Sequence, residues 1–308
     1  MNRRLILYIL IFVLPLALAV LLSMVATSQT ASLPAPQWLK PVQANSVVEL
    51  ESLFDEIGYN WPLISGPVVP RMLVKSMPVE LNSDLSVSRK KALFLRILLP
   101  VVLAENQHIQ QQRAWLQQVF AEGLVTTESL SWQQLNTLAQ QYHVSGNLNE
   151  ANKRRRLLQR VDEVPVALVL AQAANESGWG TSRFVQQANN LFGHWTYRRD
   201  QGLVPRQRED GKSHRVRIFP TLRSSVRAYL YNLNTGRAYQ PLRQLRKRMR
   251  DNNQPLDGEQ LAAGLVNYSE RGEDYVEEIR ALMRSNQLEQ FDNMQLREGT
   301  WRISNVAK

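Results

Sequence analysis

Between Leu5 and Ala26 the chain reads LILYILIFVLPLALAVLLSMVA, without one charged residue. As a helix this run is about 33 Å long at roughly 1.5 Å per residue, enough to cross the hydrocarbon core of a bilayer. A secretory signal core is shorter, roughly 7–15 residues, and carries a small-residue cleavage site; none is evident among Met24, Val25, Ala26, Thr27 and Ser28. Pro15 is tolerated inside a lipid-buried helix. The segment 1–27 is therefore expected to be an uncleaved transmembrane anchor. Arg3 and Arg4 would lie on the cytoplasmic side by the positive-inside rule, and everything after the anchor outside the cytoplasm.

The remainder of the chain must fold without covalent staples. The 308 residues contain no cysteine, which removes thiol nucleophiles, disulfides and thiolate zinc sites, but 44% are hydrophobic, enough for a substantial core. The four histidines, His108, His143, His194 and His214, fall at no metal-ligand spacing, and neither a glycine-rich phosphate loop nor a G-x-S-x-G elbow is present. No metal and no organic cofactor are expected.

Proline and small polar residues mark 28–85 as a spacer with short ordered pieces. Residues 86–145 form a helical region. Leu93, Ile97, Leu98, Val101 and Val102 repeat at helical spacing, with a kink or break expected at Pro100, and SWQQLNTLAQQYHV gives a second helix. In 146–292 a basic helix ending near Arg160 precedes VPVALVLAQAANES, for which Asp162 and Glu163 are good start residues and Gly178 a stop. A short helix is expected over 182–188. The alternation in HRVRIF and the turn REDGK predict a small hairpin, after which helices resume at SSVRAYLYNLN, GEQLAAGLVNY and EDYVEEIRALMRSNQLEQF. Residues 293–308 are a tail. The fold class is mainly α, with a small β-hairpin lobe.

One carboxylate, Glu176, continues the apolar stripe of Val169 and Ala173 at the carbonyl end of its helix. Partial burial and the helix dipole both disfavour its charge, which is what a general acid requires. Gly178 and Gly180 keep the backbone open beside it. Asn189 and Asn190 could hydrogen-bond sugar hydroxyls or an N-acetyl group, and Trp179, Phe192 and Trp195 could face pyranose rings. Together these residues suggest a carbohydrate cleft.

The stretch ALVLAQAANESGWGTSRF…NNLFGHW resembles the signature of the bacterial N-acetylglucosaminidases of glycoside hydrolase family 73, and VRIFPTLRSSVRAYLYNL and NYSERGEDYVEEI come later in the order of that family. The upstream RKKALFLRILLPVVLAENQHI is similar to the Bax-type family of bacterial membrane-associated proteins. The resemblance implies a lysozyme-like helical lobe with a small β-lobe, and cleavage of the β-1,4 bond after N-acetylglucosamine in peptidoglycan. It implies Glu176 as general acid and Tyr268 as an active-site tyrosine. The second carboxylate departs from the family pattern: Gln207 stands at its place, leaving Glu209, Asp210 or the substrate's own acetamido group for that role.

The net charge is +10, and between Arg206 and Arg250 only Glu209 and Asp210 are acidic. Such a basic stretch suits anionic lipid headgroups or the carboxylates of peptidoglycan strands. A nucleic-acid partner would need cytoplasmic placement, and QLRKRMR lacks a groove-reading motif around it. Two rivals remain beside the hydrolase: a lytic transglycosylase-like enzyme, and a non-catalytic, membrane-anchored wall-binding protein.

Overall fold

The computed structural model describes residues 32–299 except 45, 64–65, 67 and 206–212, so the anchor segment and the candidates Glu209 and Asp210 lie outside the described residues. In order, the elements are β1 (Lys40–Val42), α1 (Val47–Glu56), β2 (Val68–Val69), β3 (Met72–Val74), α2 (Val87–Ala121), α3 (Leu130–Gln141), α4 (Ala151–Arg160), α5 (Val166–Ser177) and α6 (Arg183–Ala188). They continue with β4 (Trp195–Thr196), β5 (Gly202–Leu203), β6 (Arg215–Arg217), α7 (Leu222–Thr235), α8 (Gln240–Asp251), α9 (Gly258–Ala262), α10 (Glu273–Ser285) and β7 (Gln295–Leu296). Among the described residues no helix is long and apolar enough to cross a membrane.

The fold is mainly helical around α5. Every residue from Val166 to Ala174 is buried, because a helix apolar on all sides has no face to offer water. It packs against α2, α9, α10 and the 3-10 turn Leu288–Phe291. The long α2 runs through Pro100 without a break, so the break offered as one alternative to a kink does not occur. Pro100 is itself buried between Leu99 and Val101, and packing there offsets the hydrogen bond that proline cannot donate.

The described part of the spacer expected over 28–85 is folded onto this body. Leu50, Phe54, Val69, Met72 and Leu81 are buried in the same core cluster as α2 and α5. β1 runs parallel to β3, with Pro41 opposite Leu73. β2 runs parallel to β7, with Val68 opposite Gln295, so the beginning of the expected C-terminal tail closes over the start of the body. The expected hairpin gains a third strand: β4 and β5 flank β6 antiparallel, with Trp195 and Leu203 both opposite Val216.

Charges distant in sequence fix the loop into α5. Asp162 was expected to start the helix, yet Pro165 occupies the N-cap, and the Asp292 carboxylate accepts from Ala167 N at 2.8 Å instead. Asp162 is 2% exposed and lies among Arg250 (2.9 Å), Arg113 (3.5 Å) and Arg246 (3.7 Å). Arg246 also donates to the carbonyls of Gln159, Asp162 and Glu163, and Arg243 to those of Leu233 and Gly236. These guanidiniums satisfy carbonyls at the ends of α4 and α7 that lack a helical partner. Part of the sequence's basic stretch is thus internal. α8, which carries Arg243 and Arg246 inward, was not foreseen as a helix.

Removing a buried partner of several cations leaves them uncompensated. Asp162→Ala is expected to lower folding stability by about 3–5 kcal/mol, read as a shift of the urea midpoint; an unchanged midpoint would show that the network does not hold α5.

Candidate active site

α5 ends where Gly178 adopts a left-handed conformation, φ 56°, and its N–H returns to the carbonyls of Ala174 and Asn175. Ser177 steadies the turn by accepting from Gly180 N at 2.9 Å. The turn leaves Glu176 half-buried at the end of an otherwise buried helix.

Of the polar side chains of α5, Gln172 and Glu176 lie one turn apart on the same face. Gln172 is fully buried. Its Oε1 accepts from the Tyr229 hydroxyl of α7, and its Nε2 donates to Tyr275 Oη of α10 at 2.8 Å. The Tyr275 hydroxyl then donates to Glu176 Oε1 at 2.9 Å. The chain Tyr229–Gln172–Tyr275–Glu176 satisfies each group inside a low-dielectric interior, where an unpaired one would be costly. It also fixes the rotamer of Glu176.

Burial raises the Glu176 pKa above the usual carboxylate range, against the hydrogen bonds of Tyr275 and Asn175, which favour the charged form; nearby Glu278 adds to the rise and Arg271 opposes it. Its second oxygen, Oε2, faces the loop after α6. A Cβ on Gly193 would stand 3.9 Å from it, and Gly193 itself has φ 67°, a conformation that side-chain-bearing residues rarely adopt.

The other candidates divide sharply. Tyr268 is brought beside the carboxyl, stacked on Tyr275 with centroids 5.3 Å apart, but its hydroxyl donates to Phe192 O at 3.1 Å rather than to Glu176. Asn190 is buried, with Nδ2 on the carbonyls of His194 and Arg217, both at 2.8 Å, and Oδ1 on His194 N. It braces the loop over Glu176 and has no donor left for a sugar. Asn189 is the left-handed cap of α6 and donates to Phe219 O. Phe192 is buried and stacked on Tyr229 at 3.9 Å. Asn190 and Phe192, expected as sugar contacts, are thus buried with partners inside the protein.

Trp179 borders a hollow of about 440 Å³ shared with Asn175, Glu278 and Leu282, which Glu176 does not line. Its ring packs edge-on against Phe94 and lies 4.7 Å from the Lys91 ammonium. Trp195 is 57% exposed on the β-lobe, set 3.9 Å from His214, and Tyr197, which was not among the expected sugar contacts, is 78% exposed. Gln172, Tyr229, Tyr275 and Glu278 were also not foreseen. The signal for Gln172 was present as a lone amide four residues before Glu176, whereas the tyrosines looked like ordinary core. Among the described residues no three acidic or imidazole side chains are placed to hold a metal ion.

Because the folded state holds the Glu176 proton more tightly than the unfolded chain, this residue costs nothing at a pH below the unfolded value of about 4.3. It costs stability as pH rises through its raised pKa. Glu176→Gln keeps an acceptor for Tyr275. The variant is expected to unfold at higher urea than the wild type at neutral to alkaline pH and at the same urea under acid conditions. A difference independent of pH would mean that the carboxyl titrates normally.

The family model described as mannosyl-glycoprotein endo-beta-N-acetylglucosaminidase, the glucosaminidase family, matches residues 152–288. The chain is also 34% identical over 201 residues to Protein bax of Escherichia coli (strain K12), an alignment covering 65% of this chain and 70% of that one. No solved structure matches the chain. The matched span runs from α4 past the end of α10 and so contains Glu176, both partner tyrosines and the β-lobe. With the half-buried carboxyl standing inside that span, the resemblance read from ESGWG and NNLFG holds, and the chain belongs to the glucosaminidase family of glycosidases.

Proposed function

We propose that this protein is a peptidoglycan hydrolase that cleaves the β-1,4 bond after N-acetylglucosamine, with Glu176 as general acid. The observation that carries the proposal is the carboxyl itself. Burial favours its protonated form, Tyr275 holds one oxygen, and the other faces the Gly193 loop. A glycosidic oxygen arriving in that space meets a proton already positioned for transfer, and the developing oxocarbenium ion gains from the carboxylate that transfer leaves behind. The exposed Trp195 and Tyr197 supply apolar faces for sugar rings on the β-lobe.

The second group of the reaction is Glu209 or Asp210, in the connection between β5 and β6, or the substrate's acetamido oxygen attacking from within the same sugar. Tyr268 has its hydroxyl on the Phe192 carbonyl, so its part is to hold the loop and the Tyr275 ring. Residues 5–26 would anchor the enzyme in the inner membrane with the catalytic part in the periplasm, where glycan strands lie.

Mass analysis of peptidoglycan digested by the full chain in detergent is the test. Reducing N-acetylglucosamine ends are expected, and Glu176→Gln should lower their formation by roughly 10²–10⁴-fold, the usual size of a general-acid contribution. Anhydro-muramyl ends would instead identify a lytic transglycosylase. No product from either protein would leave a wall-binding protein.

A further inference from the structure

A second cavity, of about 1040 Å³, lies on the other side of α7 from Glu176. The two sites use opposite stripes of one helix. Tyr229 turns inward to Gln172, while Ser224, Arg227, Ala228 and Tyr231 recur at helical spacing along the wall of the cavity. The remaining walls come from α2, the end of α3, the chain around Pro34, the turn at Asp200 and Gln201, and the end of β6. Its size matches the upper range of ligand pockets, roughly 300–1,000 Å³.

Its chemistry is mixed in a way that narrows the ligand. At the base, the buried Glu105 carboxylate pairs with Arg223 and, through Oε2 at 2.8 Å and Oε1 at 3.0 Å, with Arg227. Burial alone would raise the Glu105 pKa, but the two guanidiniums outweigh it and hold it below the usual range. The pair of cations exceeds the single anion, and the Arg227 side chain remains 53% exposed. At the rim, Arg217 lies over Phe219 at 4.7 Å, while the one rim acid, Asp200, is paired with Arg198 at 3.6 Å. Between these charges the walls carry apolar faces from Pro34, Pro36, Ile109, Ile218 and Leu230, interleaved with the polar side chains of His108, Gln112 and Gln141. A ligand suited to them carries carboxylates on a short backbone with small aliphatic groups. β6 borders both sites, since the carbonyl of Arg217 holds Asn190, which braces the loop over Glu176.

We infer that this cavity binds the carboxylate-bearing stem peptide of a peptidoglycan strand whose glycan lies at Glu176. The inference rests on the hydrolase reading, because in that substrate the stem peptide is the part with this chemistry. The Arg217 and Arg227 guanidiniums receive the carboxylates, and the proline, isoleucine and leucine walls receive the alanyl methyl groups.

The test uses the full chain in detergent and, as probe, the free stem tetrapeptide of alanine, γ-linked glutamate, diaminopimelate and alanine, titrated by calorimetry. Saturable binding is expected. Ala228→Trp, which fills the cavity from α7, and Arg217→Gln, which removes the rim cation, should each weaken it by about 10-fold or more, the size of one hydrogen bond to a charged group. Amidating the peptide carboxylates should do the same, and Glu176→Gln should change nothing. Both cavity variants should also slow cleavage of peptide-bearing strands while cutting peptide-free glycan at the wild-type rate. Absence of binding, binding indifferent to both variants and to amidation, or equal slowing on both substrates would overturn the assignment. Peptide binding as described without cleavage of any glycan would support the cavity assignment and sink the hydrolase reading alone.

Discussion

α5 has almost no solvent face, and the rest of the molecule is arranged to supply it with neighbours. A helix of this composition must be enclosed to be stable, so α2, α9, α10 and the turn after α10 close around it. Its two ends are then the places where the chain meets polar surroundings. At the start, Asp292 supplies the cap that Pro165 cannot, and Asp162 collects three arginines from α2 and α8. At the far end Glu176 emerges into the half-buried corner from which chemistry becomes possible.

Enclosure also explains the state of the carboxyl. A buried amide one turn earlier must be satisfied, and the two tyrosine hydroxyls that satisfy Gln172 come from α7 and α10. One of them, that of Tyr275, in turn donates to Glu176. The hydrogen-bond chain that makes the core tolerable is therefore the device that orients the Glu176 carboxyl. Burial pushes the pKa upward while the Tyr275 hydrogen bond moderates the rise. Core stability and the protonation of the carboxyl are set by the same few groups.

Most helices were legible because their apolar periodicity reports burial directly. α5, the short α6 behind its Ser182 cap and the glycine stop at Gly178 follow from local chemistry. At Pro100 the helix does not break, because packing along α2 offsets what proline locally removes. The arginines of α8 misled: Arg243 and Arg246 count as surface charge by composition, yet they are buried among helix-end carbonyls that only the tertiary fold brings near. Of the candidate site, Glu176 was readable as a charge on an apolar stripe. Asn190 and Phe192 are buried against backbone carbonyls and the Tyr229 ring, contacts that sequence does not show. Tyr275, the direct partner of Glu176, was passed over in favour of Tyr268, because a single tyrosine inside an amphipathic helix carries no mark that separates it from core.

The fold holds the Glu176 proton above the ordinary pH range of a carboxyl, and Tyr275 is the group that restrains the rise. A ¹³C NMR titration of the Glu176 carboxyl, assigned by loss of its signal in Glu176→Gln, measures this without reference to any substrate. The midpoint is expected above the unperturbed value of about 4.3 and should move higher still in Tyr275→Phe, which deletes a hydrogen bond to the charged form. A midpoint at the ordinary value, or one that Tyr275→Phe leaves in place or lowers, would contradict it.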